Sequence, residues 1–241
     1  MNKMQTISQT NDFKRVLVWE LPVRIFHWLN ALSITVLIIT GLIIANPPAI
    51  LSNVEASESY WFGTIRAIHF ISAYVFLLNA IARIYWAFRG NYYANWRAFI
   101  PFSKKARQNI LHVLKVDIFL QNEEKEVLKN ISVGHNYVAS FSYLILFFLA
   151  LVQIFTGFGL YAPTSGWWLP KLFAWVPDFL GGDAPTRLIH HISTWLFIIF
   201  TLIHVYLVFY HDWLEGRGES SSMISGYKFV RKERIEKDDH I

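Results

Sequence analysis

The chain has 241 residues, of which 54% are hydrophobic and 17% aromatic, with a formal net charge of +5 and a mean hydropathy of +0.33. A soluble domain rarely sustains that apolar share, so the composition sets aside a water-soluble globule and makes the bilayer the expected solvent. The absence of cysteine excludes disulfides, cysteine-ligated iron–sulfur clusters and covalent haem attachment through C-x-x-C-H, so any redox centre must sit on histidine or be a bound quinone.

Met1 to Glu20 is polar, carries Lys14 and Arg15, and has no small-residue cleavage signature. Residues 1–22 are expected to form a cytoplasmic leader. A first span is predicted over 23–45, ended by Asn46-Pro47-Pro48 because proline cannot continue a helix. A short acidic loop with Glu55 and Glu58 leads to a second span over 64–88. The connection that follows is basic, and within 101–121 Ile110, Leu111, Leu114 and Ile118 recur at helical spacing among lysines and arginines. That pattern predicts a surface-lying amphipathic helix. A third span over 137–161 is followed by a Trp-, Pro- and Gly-rich interfacial loop and a fourth span over 186–210. The expected architecture is an all-α, integral membrane four-helix bundle, with one membrane domain over 23–211 and a charged tail over 212–241.

Of the 22 lysines and arginines, only Arg66, Lys171 and Arg187 fall outside if the N-terminus is cytoplasmic. The other 19 lie on inner segments and adjoining helix ends, so the positive-inside rule puts both termini in the cytoplasm. The net positive charge therefore reads as a topology signal rather than a nucleic-acid surface.

The fourth span carries His190 and His204, and a rise of about 1.5 Å per residue separates them by about 21 Å along the axis, one in each leaflet. Fourteen residues at about 100° each return within roughly 40° of the starting direction, so the two share a face that His191 does not. With the orientation above, His27 and His204 lie towards the cytoplasm and His69 and His190 towards the opposite side. Ionisable groups inside hydrocarbon face a bundle interior and mark function, and two depth-matched imidazole pairs suit bis-histidine ligation of two b-type haems. The competing readings are a haem-free anchor, or a small transporter whose histidines relay protons.

Arg24, Arg66 and Arg187 each precede one of these histidines by three residues, nearly one helical turn, on the headgroup side. There a guanidinium suits a haem propionate, and it equally suits lipid phosphates by snorkelling. Gly41, Gly157 and Gly159 leave room for a flat macrocycle or for close helix packing. His112, His135, His191, His211 and His240 are weaker candidates, and Trp19, Trp28, Trp86, Trp167, Trp168 and Trp175 read as an aromatic belt.

The segments LPVRIFHW, IRAIHF, RIYWAFRGN, GHN, FTGFGLY, IHVY and SGYKF, spread over nearly the whole chain, resemble the cytochrome b subunit of membrane-bound nickel–iron uptake hydrogenases. The broader di-haem group that serves formate dehydrogenases and thiosulfate reductases shares only the general histidine plan, and remains the alternative. The resemblance implies a non-catalytic electron-transfer subunit of a bacterial inner-membrane hydrogen:quinone oxidoreductase in the respiratory chain, with haem b on His27, His69, His190 and His204. It implies as partners the iron–sulfur small subunit and the large subunit of a periplasmic NiFe hydrogenase, with menaquinone or ubiquinone as acceptor. It also implies quinone contacts near Asn136 and Ser140, although a glutamine often found at the latter position in relatives is replaced here by serine.

Overall fold

A computed structural model describes residues 13–48, 60–96, 137–215 and 219–231. Strand β1 (Phe13–Leu17) precedes helix α1 (Leu21–Ala45), α2 (Trp61–Arg89) and α3 (Tyr137–Tyr161). A 3-10 turn at Ala162–Thr164 and two short helices, α4 (Trp168–Lys171) and α5 (Trp175–Phe179), lead into α6 (Asp183–Glu215), α7 (Glu219–Ser225) and strand β2 (Tyr227–Arg231). Helices α1, α2, α3 and α6 are long and apolar enough to cross a membrane. The protein is a multi-pass, mostly helical membrane bundle, as its composition requires.

The helix ends follow local chemistry. Pro22 sits in the first turn of α1, where a missing N–H costs nothing, and Asn46 followed by Pro47 and Pro48 ends it. α2 stops at Gly90, where an added Cβ would lie 2.9 Å from Trp86 and Ala94 side-chain atoms. Gly181 and Gly182, at φ of 89° and 108°, turn the chain from α5 into α6 through the left-handed region that disfavours a side chain. The helix α6 then extends three residues before and five beyond the expected span, about 50 Å in all, so it projects past the roughly 30 Å hydrocarbon core.

α1 packs most extensively on α2, and α3 on α6. The two pairs meet around Phe76, Ile154, Phe158 and Phe197, with Ile34 and Leu37 of α1 packed against them. Large apolar residues such as Leu32, Leu78, Phe148 and Leu202 face outward, which is the arrangement that lipid solvates. The amphipathic helix expected over 101–121 lies outside the described residues.

The expected leader and tail are not separate polar extensions. β1 and β2 pair antiparallel, Phe13 with Arg231 through Leu17 with Tyr227, so both strands sit at one end of the bundle. The backbone N–H groups of Val18 and Trp19 both donate to the Gly226 carbonyl, at 2.9 and 3.0 Å. Trp19 Nε1 donates to Ser222 Oγ at 3.2 Å and Trp28 Nε1 to the Met223 carbonyl at 3.1 Å. Val18, Trp19, Val23, Tyr93 and Ala94 form a small apolar core beneath this strap. Glu20 closes it from the α2 side by accepting from Trp86 Nε1 and the Asn91 N–H, both at 3.0 Å.

Gly226 is the pivot of the strap, with φ of 86° and Trp19 O only 2.6 Å from where a Cβ would stand. Gly226→Ala combines a clash with a left-handed conformation that costs an L-residue about 1–2 kcal/mol. It is expected to loosen the ribbon, read as faster tryptic cleavage after Lys228 in detergent-solubilised protein. An unchanged cleavage rate would show that the strap does not depend on this glycine.

Candidate functional site

Two histidine sites occupy the two levels of the bundle. At the level nearer the strap, His27 of α1 faces His204 of α6, with ring centres 6.3 Å apart and planes inclined by 55°. Two imidazoles on opposite sides of one metal ion, each with a bond of about 2.0–2.1 Å, hold their ring centres roughly 6 Å apart, so this spacing fits a shared iron. His27 Nδ1 is buried without a hydrogen-bond partner among the described residues. Trp28 meets the His27 ring edge-on at 5.3 Å, and Phe200 stacks on His204 at 5.5 Å. Asn79 of α2, 3% exposed, ties α1 in place beside His27 by donating to the Phe26 carbonyl at 2.9 Å and to Asn30 Oδ1 at 2.6 Å.

The other level holds His69 of α2 and His190 of α6. Each rests against a Thr-Gly step of its neighbouring helix. Thr40 Oγ1 is 2.9 Å from His69 Nδ1, and a Cβ on Gly41 would stand 3.3 Å from His69 Cε1. Thr156 Oγ1 is likewise 2.9 Å from His190 Nδ1, and a Cβ on Gly157 would stand 3.1 Å from His190 Cε1. The glycines thus open space for an imidazole edge. Gly159 is different: its face meets the Phe173 carbonyl and Pro177 at 3.0 and 3.1 Å, so it seats the short helices after α3 rather than a ring at the site. Gln153 fixes α6 at the same height, its Nε2 donating to the His190 carbonyl and to Thr194 Oγ1, both at 3.0 Å.

The three arginines part company. Arg24 Nη1 donates to the Ile224 carbonyl of the strap, while its Nε is buried without a hydrogen bond among the described residues. Arg66 is exposed, stands over the Phe70 ring at 5.8 Å, and lines a hollow of about 380 Å³ with Gly63, Tyr74 and Tyr161. Arg187 is exposed in the second turn of α6. A buried Nε with no partner and an open arginine-lined hollow both suit an anionic group at the edge of a macrocycle. Asn136 lies outside the described residues, and Ser140 is placed only as backbone in the first turn of α3. His191 is exposed, and His112, His135 and His240 lie outside the described residues.

The sequence reading passed over Thr40, Thr156, Gln153 and Asn79. A signal for the threonines was available in the repeat V-x-I-x-T-G, Val36 to Gly41 in α1 and Val152 to Gly157 in α3. Each copy faces a helix bearing R-x-I-H, Arg66 to His69 in α2 and Arg187 to His190 in α6. The two helix pairs are therefore built on one local plan.

Residues 18–226 match the family described as prokaryotic cytochrome b561. A probable Ni/Fe-hydrogenase B-type cytochrome subunit of Cupriavidus necator is 35% identical over 226 residues, covering 92% of this chain and 90% of that protein. A similarly named subunit of Rhodobacter capsulatus is 34% identical over 225 residues, covering 92% and 84%. The probable Ni/Fe-hydrogenase 1 B-type cytochrome subunit of Escherichia coli is 32% identical over 216 residues, covering 88% and 89%. With four membrane-crossing helices, histidines paired at two depths and a match along almost its whole length, the chain belongs to the prokaryotic cytochrome b561 family.

Proposed function

We propose that this chain is the haem b subunit of a membrane-bound Ni/Fe hydrogenase, carrying electrons from the iron–sulfur small subunit of a periplasmic enzyme across the bacterial inner membrane to a quinone. The observation that carries the reading is the facing pair His27 and His204, with ring centres 6.3 Å apart, together with His69 and His190 held by matching threonine contacts at the other depth. The printed names of the relatives support the hydrogenase partnership over a formate or thiosulfate enzyme.

In this reading each histidine pair would hold one haem b, which when bound would supply one-electron transfer. Arg24, Arg66 and Arg187 neutralise propionates at the membrane surfaces, where a planar guanidinium matches a carboxylate. The aromatic and aliphatic side chains between the two levels exclude water and set a low dielectric around the imidazoles. The chain itself breaks and makes no covalent bonds, and none of its residues is assigned a catalytic role. The excess of lysine and arginine on the strap side supports a cytoplasmic position for both chain ends, with the His69–His190 level towards the periplasm. Quinone binding near Asn136 and Ser140 rests on the family resemblance.

Purified chain from porphyrin-sufficient cells is expected to show a b-type α-band in a dithionite-reduced minus oxidised spectrum, with two haems per chain by pyridine haemochrome. His190→Ala and His204→Ala should each remove one haem, at different levels. Retention of both haems in both variants would refute the ligand assignment. Gly157→Ala, whose new methyl presses on His190, should lower occupancy at that level through overpacking of about 1–3 kcal/mol, while Gly166→Ala, with nothing within 4 Å, should leave it intact. Equal haem contents in the two glycine variants would remove Gly157 from the site.

The partnership is tested in membranes. Affinity capture of the haem-loaded chain should bring down the hydrogenase small and large subunits, and hydrogen should reduce added menaquinone or ubiquinone in those membranes. Capture of a different oxidoreductase, or quinone reduction unaffected by deletion of this chain, would reject the hydrogenase assignment.

A further inference from the structure

We propose that Thr40 and Thr156 are positioning residues that hold His69 and His190 as their Nδ1–H tautomers, directing both Nε2 lone pairs to one iron and making this the more strongly electron-donating of the two ligand pairs. The inference rests on the reading of these histidines as haem ligands. It starts from the proton count of a hydroxyl, which has one hydrogen to donate. Thr40 Oγ1 lies 2.6 Å from the Val36 carbonyl, and Thr156 Oγ1 lies 2.6 Å from the Val152 carbonyl. A carbonyl only accepts, so each threonine proton is committed to the turn four residues back. At the 2.9 Å contacts with Nδ1 the hydroxyl oxygens must then be the acceptors, and each imidazole must be the donor. A neutral imidazole that donates from Nδ1 carries its lone pair on Nε2, the atom left free to bind metal.

The same bond has an electronic consequence. Donating Nδ1–H to an oxygen raises the basicity of the ligating nitrogen, which favours the ferric over the ferrous state and lowers the reduction potential. His27, at the other level, has a buried Nδ1 with no such acceptor among the described residues. The hydroxyls of the two V-x-I-x-T-G copies therefore place the lower potential at the His69–His190 level and the higher one at the His27–His204 level. With haem bound at both levels, transfer from the former level to the latter would be downhill.

The test uses the full-length chain carrying both haems. Thr156→Val keeps the shape and deletes the acceptor, whereas Thr156→Ser keeps the hydroxyl; the same pair is made at Thr40. Optical redox titration and low-temperature EPR of the ferric state are read on each variant. The valine variants should raise the lower of the two potentials, by about 59 mV for each tenfold change in the ratio of ferric to ferrous binding. They should also shift one low-spin EPR signal, leave the other signal unmoved, and be restored by serine. A valine variant that loses one haem while serine keeps it with the original potential also supports the hydroxyl role. Both haems bound with both potentials unchanged in the valine variants would overturn the proposal, as would loss of haem in serine and valine alike or a shift in the higher potential alone. A chain that keeps both haems when His69 or His190 is changed to alanine marks instead a failure of the ligand reading.

Discussion

Polar nitrogens inside hydrocarbon have no water to fall back on, so every imidazole between the membrane surfaces must be matched by a group of the protein or by a ligand. At the His69–His190 level the match is a threonine hydroxyl from the neighbouring helix, repeated almost identically in the two halves of the bundle. The glycine that follows each threonine lets the ring come within reach, since a Cβ there would already touch it. Helix pairing, side-chain tautomer and ring position are consequently one constraint. α1 can bring Thr40 to His69 only by packing closely on α2, and α3 can bring Thr156 to His190 only by packing closely on α6, which are the two most extensive helix interfaces of the bundle.

The other level is organised by different means. There α2 contributes no histidine but supplies Asn79, which grips α1 one turn around His27, while α6 brings His204 to the opposite side. The strap of α7 and β2 then covers the same end of the bundle, tying Trp19, Arg24 and Trp28 to residues about 200 positions later in the chain. Because α1 and α6 are not extensively packed on each other along their length, this strap is one of the few connections holding the first and last spans together near His27 and His204. A long-range ribbon at a bundle end thus serves the geometry of a site that lies inside the membrane.

These two constructions bear on the proposed relay. Two histidines held against threonine hydroxyls at one level, and a buried His27 nitrogen without a partner among the described residues at the other, make the two levels chemically unequal even though both present two histidines. In the proposed orientation, the hydrogen-bonded pair would lie on the side of the proposed periplasmic partner. The side chains around the rings account for this asymmetry.

Much of this organisation is legible in the amino-acid sequence because it is local. Apolar length marked four spans, and a fourteen-residue interval put His190 and His204 on one face while leaving His191 off it, since helix periodicity depends only on neighbours along the chain. The helices run past the expected spans by two residues at the start of α1, three and one at the two ends of α2, and three and five at the two ends of α6. What one-dimensional spacing could not supply is anything decided between segments. Gly157 and Gly159 are equivalent by composition and depth, yet only the fold shows that one faces an imidazole and the other the helices after α3. Thr40 and Thr156 read as unremarkable span residues until the neighbouring helix brings a ring nitrogen to 2.9 Å. The ribbon joining leader to tail joins five-residue segments more than 200 positions apart, and such pairing leaves no local trace. The sequence by itself determined the spans, the histidine faces and the charge asymmetry, all properties of single helices; partner choice for each ring, glycine and strand was decided by tertiary packing, because a hydrogen bond or a steric fit exists only once two distant segments meet.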